Sequence, residues 1–228
     1  MNINYNSNLT FGWNIKTHVF MTQKALENIE GLTNEEKEFI AAHSQDPDLM
    51  KVEVEDACAR HFYDVLHEDP SFGTVNDDLN NAMSGFLNHN NTAMEASLNG
   101  DRKMFLTKVA HSVHYLQDGS TPPHTEHGNY LHKLYRVPMH CMFEKTKPFG
   151  ASCRLNLLER GYVYEFLPFS SLKSLFHNTA LFTVQPENHV SYKNIRDWFK
   201  IQQRCINRGI NASIAYFEYI MKYLPKIK

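Results

Sequence analysis

Cysteine is scarce. Only Cys58, Cys141, Cys153 and Cys205 occur, scattered without close pairs. That spacing excludes a paired-thiolate zinc site, and four residues are too few to staple a 228-residue chain by disulfides. Glycine is sparse too, ten in all, and no internal repeat or low-complexity run appears. Charge of one sign is missing: 23 Lys and Arg stand against 25 Asp and Glu. No basic field therefore advertises a grip on nucleic-acid backbone, and no acidic tail suggests disorder. Nor does any run reach the ~18 to 20 apolar residues of a membrane span. The opening segment MNINYNSNLTFG lacks the apolar core of a secretory signal. With no Pro/Gly/Ser-rich linker, residues 1–228 are expected to form one domain, with 1–12 disordered or removed.

What is present is helical periodicity. Ile195, Trp198, Phe199, Ile206, Ile210, Ile214, Phe217, Ile220 and Leu224 recur at helical spacing, predicting a long amphipathic helix with a bend near Gly209. Val19, Phe20, Ala25, Leu26 and Ile29 mark a first helix, and Thr33 with Glu36 reads as a capping box opening a second. Further helices are expected around 54–66, 78–98 and 102–118, then a break at Gly119-Ser120-Thr121-Pro122-Pro123, then a helix from about 130 to 145. From 149 to 186 the chain is aromatic and less regular, and is read as loop plus one or two helices. The fold class is all-α, a single compact multi-helix domain.

Histidine is the unusual abundance, with 13 in the chain. His114 and Asp118 stand four apart on an expected helix, so both side chains share a face and can hold a common ion. His140 and Glu144 repeat the spacing, and His124 follows the proline break between them. One such pair alone is usually a surface salt bridge. Together the five offer nitrogen and oxygen ligands of the kinds that suit zinc, and more of them than one tetrahedral ion takes. Upstream, FGWNIKTH supplies Trp13 and His18, DPDL supplies Asp48, and RHFYD supplies His61.

In that order (Trp, His, Asp, His, HxxxDxxxxxH, HxxxE) the chain resembles the zinc-dependent phospholipase C and single-strand nuclease superfamily over Trp13 to Glu144. The resemblance implies three zinc ions: one on Asp48, His61, His114 and Asp118; a second on Trp13, His18 and a bridging Asp118; a third on His124, His140 and Glu144. Glu144 favours the phospholipase branch, whereas the five-residue spacing of Trp13 and His18 is that of the nucleases. The family's Trp binds through a free amine at the chain start, yet twelve residues precede Trp13 here. Either they are removed or that zinc has one ligand fewer, leaving two complete sites; without the amine, Trp13 is an aromatic anchor for the first helix. The family's choline-pocket places hold Leu49, Cys58 and Asn14-Ile15-Lys16, so choline specificity is not implied.

The implied activity is hydrolysis of a phospholipid to diacylglycerol and a phosphorylated head group by metal-bound hydroxide, with Asp48 taking or orienting the proton. The alternatives are a single-strand nuclease and a non-enzymatic, zinc-stabilised helical binding protein. Further expectations from the resemblance are a monomer that is secreted or periplasmic and touches a membrane surface transiently. Asp46 is the alternative to Asp48, though Asp48, directly after the proline, fits the pattern better, and His111 is read as a plain buried or half-exposed histidine before a support for the ligands. His43, His67, His89, His127, His132, His177 and His189 have no motif place and are read as surface or packing residues. The aromatic stretch from Tyr162 to Phe182 is read as core infill before lipid docking.

Overall fold

In the computed structural model of the chain, the residues described are 15–49, 61, 63, 65, 81–125, 162–188 and 197–226. Eight α-helices account for most of them: α1 (Ile15–Leu26), α2 (Asn34–His43), α3 (Asp46–Leu49), α4 (Ala82–Leu98), α5 (Arg102–Asp118), α6 (Pro122–Thr125), α7 (Leu172–Thr183) and α8 (Trp198–Ile220). Short 3-10 turns follow α7 at Pro186–Asn188 and α8 at Met221–Tyr223. No strand occurs among the described residues, which bears out the all-α expectation.

Local chemistry accounts for the helix starts. Thr33 accepts from the Glu36 amide while Glu36 accepts from the Thr33 amide, the expected capping box. Glu36 also takes the Arg102 guanidinium, whose Nη2 lies 2.9 Å from Oε2, and Arg102 reaches on to the Pro225 carbonyl. One carboxylate therefore caps α2, fixes the start of α5 and ties in the chain after α8; Arg102 holds its pKa below the usual carboxylate range. Asn81 and Ser171 cap α4 and α7 in the same reciprocal way, with Ser84 and Ser174 as partners. At the α4–α5 turn, Gly100 takes φ of +70° and Asp101 caps α5 through the Met104 amide.

Helix α5 is the central element, lying against α1, α2, α4 and α8. From Val109 to Asp118 every side chain on it is buried, including Ser112, His114, Gln117 and Asp118. A surface helix has one wet face; α5 has none over this stretch, so its polar residues must find partners inside. Ser112 donates to the Phe86 carbonyl on α4 at 2.8 Å. Helices α4 and α5 approach closely because position 85 is glycine: a Cβ there would sit 3.1 Å from the Tyr115 ring. Phe86, Phe105, Phe176, Tyr216 and Phe217 fill the core around α5, all fully buried.

Two expectations need adjustment. The C-terminal helix is one element from Trp198 to Ile220, ending in a 3-10 turn rather than running on to Leu224. Gly209 sits within it at the contact with α1, where a Cβ would meet Ser120 Oγ at 2.7 Å and Met21 Sδ at 2.8 Å. The expected helix over 54–66 does not hold at its far end: His61, Tyr63 and Val65 are not helical. Their backbone is taken up elsewhere, with the Tyr63 amide donating to the His124 carbonyl at 2.8 Å and the Val65 amide to Thr125 at 3.5 Å. Of the expected irregular region, 162–170 is loop, clipped to α8 by Asn207 and Asn211, and α7 follows, as expected of loop plus helix. The expected helix over 130–145 lies outside the described residues.

Candidate metal centre

The last turn of α5 ends at Asp118, and the chain reverses through Gly119 and Ser120 before α6 delivers His124. The Thr121 amide donates to the Asp118 carbonyl and the His124 amide to the Thr121 carbonyl, at 2.9 and 2.8 Å. Gly119 allows α7 to close over this reversal, since a Cβ there would stand 3.1 Å from the Phe176 ring. The proline break thus brings His124 back beside Asp118.

Four further side chains, His18, Asp48, His61 and His114, converge on Asp118 and His124. Asp118 Oδ2 lies 2.7 Å from His61 Nδ1 and 3.3 Å from His114 Nε2. Its other oxygen, Oδ1, lies 3.4 Å from His124 Nδ1 and 3.6 Å from His18 Nε2. Asp48 Oδ1, from α3, faces His114 Nε2 at 3.6 Å and His61 Nδ1 at 3.9 Å. The carboxylate of Asp118 therefore divides the cluster, one oxygen toward His61, His114 and Asp48, the other toward His18 and His124.

Supporting contacts decide which nitrogen each histidine offers. His114 Nδ1 donates to the Ser44 carbonyl at 2.9 Å, which can only accept, so Nε2 is the atom turned to the carboxylates. His18 Nδ1 meets the Gln117 amide oxygen at 2.8 Å, leaving Nε2 inward. His18, His114, Asp118 and His124 are fully buried, His61 nearly so.

Burial pushes His18 well below the ordinary imidazole range, reinforced by the neighbouring His114. His114 also suffers desolvation, but Asp118 and Asp48 outweigh it and take the group up to about 9. Asp118 is likewise penalised by burial, yet His114, His61 and His124 hold it well below the usual carboxylate range.

Hydrogen bonding alone does not satisfy this arrangement. His18 Nε2 and Asp118 Oδ1 are buried without a hydrogen bond. His61 Nδ1 and His114 Nε2 face each other at 3.2 Å while both point at the same carboxylate oxygen. Imidazole nitrogens and carboxylate oxygens converging in a buried interior are a donor set that can hold a metal ion of the zinc type, and two groups have their ligand atoms mutually within 4.8 Å: His18, His114 and Asp118, and Asp48, His61 and His114. The residues fit the metal.

Asp46 stands apart from the cluster. Its Oδ2 takes His43 Nδ1 at 2.6 Å and His111 Nε2 at 3.4 Å, so it braces the turn that carries Asp48. His111 serves Asp46, three residues before His114. His177 bonds the Tyr63 hydroxyl at 2.9 Å, a packing role beside the His61 segment. Trp13, His140 and Glu144 lie outside the described residues, as do Cys58, Cys141 and Cys153. Gln117 was not singled out from sequence; its signal was a polar side chain at the position of a helix face shared with Ala110 and Val113.

No family model and no curated protein matches the chain by sequence. By structure it is similar to the alpha toxin from Clostridium absonum, with a TM-score of 0.63 and 13% identity, covering 95% of this chain and 65% of the toxin chain. It is similar also to the Clostridium perfringens alpha-toxin isolated from avian strain SWCP, with a TM-score of 0.59 and 15% identity, covering 93% and 65%. The chain has the helical fold of these toxins, as the resemblance implied, and spans about 65% of their length. No helix among the described residues is long and apolar enough to cross a membrane.

Proposed function

We propose that the chain is a zinc-dependent phosphodiester hydrolase, a phospholipase C that cleaves a phospholipid to diacylglycerol and a phosphorylated head group. The observation that carries this reading is the divided carboxylate of Asp118, with two histidines on each oxygen in a water-excluding interior. The alpha-toxin fold and the ordered motif from Trp13 to Glu144 support it.

In this reading Asp48, His61, His114 and Asp118 hold one zinc, and Trp13, His18 and Asp118 a second. His124, His140 and Glu144 hold a third. Zinc bound there supplies Lewis acidity, neutralising the phosphodiester charge and lowering the pKa of water to about 7. The protein's own part is geometric and electrostatic. Asp118 joins the two halves of the site, so that groups acting on attacking and departing oxygens stay in fixed relation. Asp48 Oδ1 orients or accepts the proton of the attacking water. The Ser44 carbonyl and the Gln117 amide hold His114 and His18 with Nε2 inward.

The rest of the proposal follows the same resemblance. The chain acts as a monomeric single domain, trimmed through residue 12 so that Trp13 gains a free amine, and works outside the cytosol on a membrane surface. The test is hydrolysis of a phosphatidylcholine analogue and of single-stranded DNA, before and after chelation and with zinc restored. Chelator-sensitive lipid cleavage regained with zinc is the expected result. Cleavage of DNA alone would move the chain to the nuclease branch, and zinc binding without any hydrolysis would make it a metal-stabilised binding protein.

A further inference from the structure

A hydrogen-bond chain runs from the backbone of α8 through α5 to His18 on α1. Ser213 Oγ lies 2.7 Å from the Gly209 carbonyl, and Gln117 Nε2 lies 3.2 Å from Ser213 Oγ and 2.9 Å from Thr22 Oγ1. At the other end of the same amide, Gln117 Oε1 lies 2.8 Å from His18 Nδ1. His18, Thr22, Gln117 and Ser213 are all fully buried, so water does not compete for these bonds.

The chain has one polarity. A backbone carbonyl only accepts, so Ser213 must donate to Gly209 and is left to accept from the Gln117 amide. Gln117 Nε2 therefore faces the two hydroxyls, and its Oε1 faces His18. An amide oxygen only accepts, so His18 must carry its proton on Nδ1, which leaves the Nε2 lone pair turned toward Asp118 Oδ1 at 3.6 Å. A flipped amide would present NH2 to His18, place the proton on Nε2 and spoil that nitrogen as a ligand.

We infer that Gln117, held by Ser213 and Thr22, is a positioning residue that selects the His18 tautomer able to ligate a metal. The tautomer follows from the hydrogen bonds alone; its consequence for zinc rests on the function proposed above. Because the polarity starts at a carbonyl of α8 and ends on α1, it also makes ligand geometry depend on how those two helices pack, at the place where Gly209 lets them meet.

Nitrogen-15 NMR of histidine-labelled full-length chain, as purified and after chelation, tests this. In the unaltered protein His18 should be protonated on Nδ1 and not on Nε2. Gln117→Met, close in volume but without the amide, should release the tautomer and lower zinc content by one ion per chain. Gln117→Glu, which restores an acceptor, should rescue both. Ser213→Ala should shift the tautomer in the same direction but less, since Thr22 remains, and it serves if Gln117→Met fails to fold. His18 protonated on Nε2 in the unaltered chain, or an unchanged tautomer in both Gln117→Met and Ser213→Ala, would overturn the inference. A chain without zinc but with His18 protonated on Nδ1 would remove the zinc reading and leave the positioning role standing.

Discussion

His18 and His114 stack ring on ring, with centroids 4.1 Å apart and planes inclined by 28°. Two imidazolium ions cannot share that space in a dry interior, and the surroundings decide between them. His114 has Asp118 and Asp48 on its inward nitrogen and is lifted to about 9; His18 is pushed down. In the metal-free protein one proton therefore sits where the two carboxylates converge, the place a cation would take.

The proton and zinc compete, which fixes a pH dependence. A metal on His114 Nε2 must expel the proton, so apparent zinc affinity should rise with pH up to about 9, by up to roughly tenfold per pH unit for one proton. Metal-buffered titrations between pH 6 and 9 measure this. Affinity flat across that window would contradict the assignment of His114.

The same group has a stability consequence with a definite sign. Its folded pKa lies above the unfolded value, so protonated His114 stabilises the metal-free fold fully below about pH 6.5, and this contribution is lost as pH rises through 9. Asp118, held low, contributes above the unfolded carboxylate range and loses its part in acid. Chelated protein should thus lose thermal stability toward pH 9 more steeply than zinc-loaded protein. Differential scanning calorimetry of the two forms checks it.

Asp46 and Asp48 lie two residues apart yet should behave differently. Asp48→Asn removes a carboxylate that faces His61 and His114, and should lower hydrolysis at least ~100-fold. Asp46→Asn weakens only the brace to His43 and His111, and a loss within about tenfold is expected. Equal effects on kcat would mean that the two carboxylates have been assigned the wrong roles.

Packing at the α1–α8 contact is tested by the stability of the metal-free protein. Alanine is the better helix former, by ~1 kcal/mol, so Gly209→Ala would stabilise an open helix. Here the new Cβ would meet Ser120 Oγ and Met21 Sδ below 3 Å, and Ser120 is itself bonded to the Gln117 carbonyl at 2.7 Å. Overpacking should win, with a net loss of about 1 to 2 kcal/mol in denaturant unfolding. Phe176→Ala, which empties the space between Tyr63, Phe86 and Gly119, should cost about 3 to 5 kcal/mol.

Much of this was legible in the sequence because it is local. The Thr33–Glu36 capping box, the i,i+4 pair of His114 and Asp118 and the proline break before His124 depend on neighbours a few residues away, and the backbone obeys them. What failed was set by distant partners. The segment at His61 reads as helix until the His124 and Thr125 carbonyls claim its amides. Gln117 reads as an ordinary helix residue until burial of every face of α5 obliges it to bond across to Thr22 and Ser213. Helical periodicity showed which residues would be buried, but not which buried polar groups would meet.

The central claim is that Asp118 joins two metal-holding groups, and zinc content reads it most directly. Purified chain should carry about three zinc ions, or two if Trp13 lacks a free amine. Asp118→Asn should lose two of them together with chelator-sensitive phosphodiester hydrolysis, while far-ultraviolet circular dichroism stays helical. An Asp118→Asn chain with unchanged zinc and full activity, or an unaltered chain that binds no zinc at all, would contradict the account.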